Sequence, residues 1–553
     1  MVASWIAGIV LAIAQIWVFR YQVSTDSISY LDMSDGVLKG SDWHRLINGV
    51  WSPLYPFGLG IARRLFSISA ANEIVAAHWM NLGFFLFAFL CFEFLLAAMF
   101  SKTAVGNESR AGANASSLPR WAFLMIAYSL FLWASIHEIS VRNLRPDMLM
   151  SGFVYLASGI LVKMHGCSPR WKDYSSLGVI LGIGVLAKEP LLPLGMLILF
   201  ASLFVVNNWK AALKMSVGAL VILLSLGSLY FVPLSHARGS FTFGESSRFN
   251  YLVHVNRAQP EVYLQSPGKA RGSFTHSPER IFTSPPSYAF PSPEQVTYPL
   301  RFDPSDWIAG VEPHVNLKTQ VGTVWRNASQ TAALLSQLYL VIAGVLVLGY
   351  FSRAEISRPL TKAWPLWLVG LTGCTMYLLV HVEPRYVAGF IALFWIGIIF
   401  GFQQIRPMGN RKWVIVGAVT ISASLLFPLI SRTYTRSFQS GLRPNVDAEA
   451  AAALGELGIH SGDHVARISP FSYDIAMARI ARVQISAEVD FEHANEFWSS
   501  PAPLQEQLLQ IFASRGAKAV IANSPELTPV NRAGWIRLGS TQYWVWLPSR
   551  LCN

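Results

Sequence analysis

Several charged residues stand beside prolines at the ends of apolar runs. Asp26 follows the first apolar segment almost at once. It opens a stretch, Asp26 to Pro56, that holds four acids (Asp26, Asp32, Asp35 and Asp42) and several aromatics and ends in Ser52-Pro-Leu-Tyr-Pro56. Further on come His137-Glu138, Arg142, Arg145-Pro146-Asp147, Lys188-Glu189-Pro190 and His381-Val-Glu383-Pro-Arg385-Tyr386. Ionisable residues at membrane helix ends are costly, which makes them functional candidates by default. Carboxylates in such a group serve acid/base work, and lysines and arginines serve a phosphate.

Each motif also has a plainer reading. A lone loop aspartate is usually solvated. Asp147 after Arg145-Pro146 fits a helix N-cap. Glu383 and Arg385 fit a structural ion pair. His137 and His381 are more often core or interface histidines than metal ligands. Lys188 can snorkel toward the membrane surface, and tyrosines and tryptophans near segment ends fit an aromatic belt. What favours chemistry is that separate turns bring these charges to one side of the chain.

The elements that must position them are membrane helices. The chain has 553 residues, of which 53% are hydrophobic and 13% charged. Soluble domains carry about 25% charged residues, so a multi-span membrane protein is expected. Apolar segments run over 2–19, 76–100, 121–138, 148–163, 175–187, 190–206, 212–234, 332–351, 364–381, 386–402 and 413–430. That makes roughly eleven helices, with 175–187 short for a span. The first segment lacks a basic n-region and a clean cleavage site and is read as an uncleaved span.

With the N-terminus in the cytoplasm, alternate loops collect cations: Lys102, Arg110 and Arg120; Lys163, Arg170 and Lys172; Lys210 and Lys214; Arg353, Arg358 and Lys362; Arg406, Arg411 and Lys412. Acids in these loops are few (Glu108, Asp173, Glu355). This is a positive-inside pattern. It accounts for the net charge of +12 without a nucleic-acid partner. It places the Asp26 loop, the loop 235–331 and the C-terminal tail outside the cytoplasm. Cys91, Cys167, Cys374 and Cys552 show neither metal spacing nor a disulfide framework.

The expected architecture is a polytopic α-helical membrane domain over 1–430 and a small soluble α/β domain over 431–553. Within the first, 20–75 is the first outer loop, with interfacial helices over Ser27 to Leu38 and Leu54 to Phe66. The loop 235–331 is rich in proline, serine, aromatics and cations and is a candidate lid. In the second, helices are expected over Asp447 to Leu457 and Leu504 to Arg515. Strands are expected over His464 to Ile468, Val483 to Val489 and Ala519 to Ala522, with a terminal hairpin of Trp535 to Leu538 and Gln542 to Leu547. This domain is expected to assist binding or assembly.

Together the motifs resemble the GT-C superfamily of polyprenyl-phosphate-sugar-dependent glycosyltransferases, which includes protein O-mannosyltransferases and lipid A aminoarabinose transferases. The resemblance rests on Asp26-Ser-Ile-Ser-Tyr30, Gly40, Ser52-Pro-Leu-Tyr-Pro56, Arg145-Pro-Asp147, Leu186-Ala-Lys188-Glu189-Pro190 and Glu383-Pro-Arg385-Tyr386, in the family's order across the membrane part. Several relatives carry an Asp-Glu pair where Asp26 is followed by Ser27, so a metal site needing that pair is not implied.

The resemblance implies that Asp26 is the general base for an acceptor hydroxyl, with Asp35 the second choice. Lys188, Arg145 and Arg385 would receive the phosphate. Asp147 and Glu383 would orient those cations or bind sugar hydroxyls, and Tyr30, Glu189 and Tyr386 complete the donor and substrate site. The implied partners are a polyprenyl-phosphate-linked sugar, membrane lipids, and a lipid, glycan or protein acceptor. The implied setting is a bacterial inner membrane with the site facing out. No cofactor is demanded, although carboxylates suit a divalent metal. The alternatives are a transporter or flippase of lipid-linked saccharide, with charges at mid-membrane and internal repeats, and a glycan polymerase or ligase, in which Asp26 is dispensable.

Overall fold

The computed structural model describes the chain except residues 39–41, 108–117, 260–266, 276, 293–294, 352–356, 404–410, 441–443, 472–473, 524–533 and 549–553. Lys39, Gly40, Glu108, Arg110, Arg353, Glu355, Arg406 and Cys552 lie outside the described residues.

The membrane part is built from helices that run back and forth. They begin with α1 (Val2–Phe19), two short helices α2 (Thr25–Leu38) and α3 (Leu54–Leu65), α4 (Glu73–Asn107) and α5 (Arg120–Leu132). A π-helical stretch, Trp133–Ile139, extends α5. Then come α6 (Asp147–Met164), α7 (Trp171–Ala187), α8 (Leu191–Val205) and α9 (Trp209–Arg238). The loop after α9 holds α10 (Ser246–His254), β1 (Arg271–Gly272), β2 (Glu279–Phe282), β3 (Ser287–Ala289), α11 (Pro299–Phe302) and β4 (Val311–Glu312). Helices α12 (Leu317–Ser336), α13 (Tyr339–Phe351), α14 (Ser357–Val380), α15 (Pro384–Gln403) and α16 (Arg411–Ser440) complete this part.

All eleven apolar segments read from the sequence fall on helices. Among the described residues, 8 helices are long and apolar enough to cross a membrane. The segments 175–187 and 190–206 form α7 and α8, of 17 and 15 residues, short of the ~20 residues a straight span needs. The segment 332–351 is divided between α12 and α13, which meet at a 73° bend. The long helices expose rows of large apolar side chains: Ile6, Val10 and Trp17 on α1, Val221, Leu229 and Val232 on α9, Val416, Val419 and Phe427 on α16. An apolar surface of this extent needs a cover, and a bilayer supplies it. Between helices, small residues allow close approach. A Cβ at Gly152 or Gly159 of α6 would meet the Phe87 or Phe94 ring of α4 at 2.6 or 2.7 Å.

The C-terminal part holds α17 (Val446–Glu456), β5 (His464–Ile468), α18 (Ala476–Ala481), β6 (Gln484–Val489), α19 (Ala494–Ser499), α20 (Ala502–Ser514), β7 (Ala519–Asn523), β8 (Trp535–Arg537) and β9 (Tyr543–Trp546). Helices α17 and α20, strands β5, β6 and β7 and the terminal hairpin match the sequence reading to within a few residues, while α18 and α19 lie where no helix was expected. The sheet has the order β2-β3-β6-β5-β7-β9-β8. Its centre is parallel, β5 pairing with β6 and β7. One edge comes from the long loop, since β3 pairs antiparallel with β6.

Strand side chains alternate between faces. Ala466, Ala487, Val520 and Trp546 pack on one face with Phe497, Leu508 and Phe512 of α19 and α20. Val465, Ile485, Ile521 and Val545 pack on the other with α17 and α18, and that core runs on into Ile28, Leu31 and Met33 of α2 and Tyr55 and Leu59 of α3. The first loop and the C-terminal sheet therefore share one apolar core.

Candidate active site

The loop charges converge at one end of the helical bundle. This is the end where α1, α7 and α14 finish and α6 and α15 start. Proline supplies the local reason: Pro146 and Pro190 immediately precede α6 and α8, and Pro384 opens α15. Proline fits a helix start because its fixed φ is already helical and its missing N–H costs nothing there. Each turn therefore leaves a charged residue at a helix mouth.

Asp147, 3% exposed, sits at the centre. One carboxylate oxygen accepts from Lys188 Nζ. The other accepts from Arg385 Nη1 at 2.9 Å. Arg385 also donates through Nε to Glu383 Oε2 (2.5 Å) and through Nη2 to Tyr386 Oη (2.8 Å). His381 Nε2 lies 3.3 Å from the second Glu383 oxygen. The Lys188 ammonium stands 4.0 Å over the Tyr386 ring, which is stacked on Tyr377 at 5.1 Å.

Asp26 is in the first turn of α2 and faces Arg145 at 3.2 Å, with about a quarter of its side chain exposed. The turn that leads into Arg145 is held through its backbone: Asn81 Nδ2 donates to the carbonyls of Val141 (3.0 Å) and Asn143 (2.7 Å). Tyr55 Oη donates to Asn81 Oδ1 at 2.8 Å. Tyr30 packs against Tyr55 and Trp51. Burial pushes the Tyr30 hydroxyl well above its ordinary pKa, and the charges of Asp26 and Asp147 push it further. Tyr30 thus stays a neutral hydroxyl between the two carboxylates. Burial also raises Glu383, but the His381 hydrogen bond and the Arg385 charge outweigh it and hold this carboxyl below the ordinary range.

Eight of the ten residues expected from the sequence are thus brought together: Asp26, Tyr30, Arg145, Asp147, Lys188, Glu383, Arg385 and Tyr386. Two are placed elsewhere. Glu189 is turned to the long loop and caps α10, accepting from Ser246 N (2.8 Å), Ser247 N (3.1 Å) and Ser247 Oγ (2.6 Å). Asp35 is enclosed by arginines, with Arg63 at 2.9 Å and Arg479 at 2.7 Å. Burial penalises its charge, but Arg479 and its neighbours more than compensate and hold the carboxyl far below the ordinary range. An acid held in this way is a poor proton acceptor.

Other members were not expected. Asn81 and Tyr377 carry no charge and sit inside apolar runs, so only three-dimensional proximity reveals them, whereas Tyr55 belongs to the Ser52-Pro-Leu-Tyr-Pro56 motif, which the sequence marks without giving Tyr55 a place in the site. His254 of α10 stacks on His381 at 3.7 Å and 2°. It fixes the long loop to the site, and its burial lowers its pKa to about 4. Away from the site, inside the bundle, Glu93 midway along α4 accepts from Trp5 Nε1 (2.8 Å) and Tyr128 Oη (2.6 Å). Among the described residues, no three His, Cys, Asp or Glu side chains converge on a metal position. The site carboxylates face arginine and lysine instead.

No family model matches the chain, and no curated protein does. Solved structures do match. The chain is similar to ArnT from Cupriavidus metallidurans bound to undecaprenyl phosphate, at 11% identity and a TM-score of 0.42, over 98% of this chain and 97% of that one. It is similar to the Archaeoglobus fulgidus oligosaccharyltransferase in complex with Zn and sulfate, at 13% identity and a TM-score of 0.49, over 93% of this chain and 68% of that one. At these values the likeness assigns no donor, acceptor or residue role.

Proposed function

We propose that this chain is an integral membrane glycosyltransferase that moves a sugar from a polyprenyl-phosphate donor to a hydroxyl acceptor on the extracytoplasmic face. The carrying observation is the convergence, at one mouth of the bundle, of a part-exposed carboxylate with three cations: Asp26 beside Arg145, and Lys188 and Arg385 on Asp147.

In this reading Asp26 takes the proton of the acceptor hydroxyl. The freed oxygen bonds to the anomeric carbon from the face opposite the phosphate. The bond from that carbon to the phosphate oxygen breaks, and its electron pair leaves with the polyprenyl phosphate. The sugar inverts. The leaving phosphate needs no protonation if cations receive it. Asp26, Asp147 and Glu383 balance Arg145, Lys188 and Arg385 in formal charge, so a phosphodiester would be held by directed donors rather than by net charge. Arg145 Nε is buried with no hydrogen-bond partner in the protein and is one such donor. Tyr30 and Tyr386 offer hydroxyls beside it.

The test is to reconstitute the protein in vesicles with labelled polyprenyl-phosphate sugars and envelope extract. Transfer predicts free polyprenyl phosphate and labelled acceptor in equal amounts. Intact donor moving across the vesicle wall without release of polyprenyl phosphate contradicts it and favours a transporter.

A further inference from the structure

A second ion group lies on α2, beyond Asp26, and joins it to the C-terminal part. Asp32 and Asp35 stand three residues apart and share a helix face. Arg479 of α18, 1% exposed, reaches both. Its Nη1 donates to Asp32 at 2.5 Å and Asp35 at 2.7 Å, its Nη2 to Asp35 at 2.8 Å and Glu73 at 2.9 Å, and its Nε to Glu73 at 2.7 Å. All three nitrogens are engaged, so this guanidinium is not waiting for a ligand. Arg63 and Arg482 complete the group: Arg63 reaches Glu73 at 2.7 Å, and Arg482 reaches Glu73 at 2.8 Å and Asp35 at 3.1 Å. The three acids Asp32, Asp35 and Glu73 meet the three arginines Arg63, Arg479 and Arg482. Arg482 adopts a left-handed backbone, φ 61°, which is uncommon for a residue with a side chain.

The placement has a mechanical consequence. Asp26 and Asp32 are six residues apart on one helix, about 9 Å at the α-helical rise. Asp32 also accepts from Thr297 N (3.0 Å) and Thr297 Oγ1 (2.8 Å) of the long loop. The depth and rotation of α2, and with them the position of Asp26, are set by these contacts. The contact that Asp26 itself makes, with Arg145, is longer and partly open to solvent. We propose that Arg479 is a positioning residue for Asp26: it clamps α2 through Asp32, Asp35 and Glu73, so the C-terminal domain takes part in the transfer step by holding the base in place. The proposal rests on the reading of Asp26 as base. It goes beyond assembly, because a domain that only assisted assembly would not need its central arginine bound to the helix that carries the base.

The test uses the full-length protein in four forms: wild type, Arg479→Lys, Arg479→Gln and Asp26→Asn. It reads amide hydrogen exchange over residues 25–38 together with kcat, donor KM and the pH profile of transfer. The expected result is faster exchange across α2 in both Arg479 variants. With Gln, kcat should fall by about 10²-fold, the size a small misplacement costs, and the acid limb of the pH profile should move. Donor KM should stay within about 2-fold, because the donor cations are untouched. Lys should recover part of kcat. Unchanged α2 exchange in Arg479→Lys overturns the proposal whatever the activity, and Lys keeps the charge if Gln does not fold. Wild-type kcat in a folded Arg479 variant, with Asp26→Asn inactive, also overturns it. Full activity in Asp26→Asn overturns the base reading instead and leaves the exchange data to decide the clamp.

Discussion

Arg385 shows how much one side chain can organise. Its three nitrogens reach Asp147, Glu383 and Tyr386, a fork geometry that lysine lacks. Arg385→Lys should lower kcat/KM by about 10²-fold while the protein still expresses and inserts. Steady-state transfer kinetics check this, and a loss below about 2-fold would remove Arg385 from the site. Asp447 offers a test of the C-terminal part. Its carboxylate lies 2.6 Å from Tyr543 Oη, and Asp474 reaches the same hydroxyl, whose single proton the two acids share. Burial first, and then the Asp474 charge, push Asp447 to about 6. An unfolded aspartate titrates near ~3.9. Between these values the folded state binds more protons, so the stabilisation is complete below about pH 4 and is lost as pH rises toward 6. Thermal unfolding should therefore show wild type losing stability from pH 4.5 to pH 7. Asp447→Asn, which keeps an acceptor for Tyr543, should show less of this slope.

Elements set which of these residues could be foreseen. Charged residues beside proline at the ends of apolar runs stand out because the surrounding sequence is otherwise uncharged; this made Asp147, Lys188 and Arg385 legible. Glu189 carries the same signature, yet its carboxylate caps α10, whose first residue lies 57 positions away. No local pattern encodes that partner. Arg479 and Arg482 sit in a soluble segment where charge is ordinary, so nothing marked them as partners of α2. The strands were visible where they alternate or run apolar. The strands β2 and β3, which the long loop adds to one side of the sheet, have 4 and 3 residues, too few to show a period. The Glu189 cap gives a test at this scale. Glu189→Ala should cost about 0.5–2 kcal/mol, the usual loss for a helix cap, and limited proteolysis should cut faster within Ser246–His254. Unchanged cleavage there would mean that the loop is held by other contacts, such as Arg238 on Asp303 at 2.6 Å and the His254–His381 stack.

Across the whole molecule, the membrane bundle, the folded long loop and the C-terminal sheet meet around the mouth of the site. The loop contributes β2 and β3 to the sheet and His254 to the site. The first loop contributes α2 to both the site and the core under the sheet. On the positive-inside reading of the sequence, this whole assembly is expected on the extracytoplasmic side. With the native cysteines replaced by serine, a membrane-impermeant thiol reagent on intact cells should therefore label Ser514→Cys, at the end of α20, and should fail to label Lys210→Cys, at the start of α9. The reverse pattern would invert the topology.

The proposed transfer from a polyprenyl-phosphate sugar turns on Asp26 as its base. The most direct measurement compares wild type with Asp26→Asn, at equal expression, for transfer of radiolabelled sugar from polyprenyl-phosphate donors to membrane extracts, with donor binding measured in the same preparations. With Asp26 as the base, transfer should fall by at least about 10²-fold, the lower range for a lost general base, while donor binding is retained. Equal transfer by the two proteins would contradict that role.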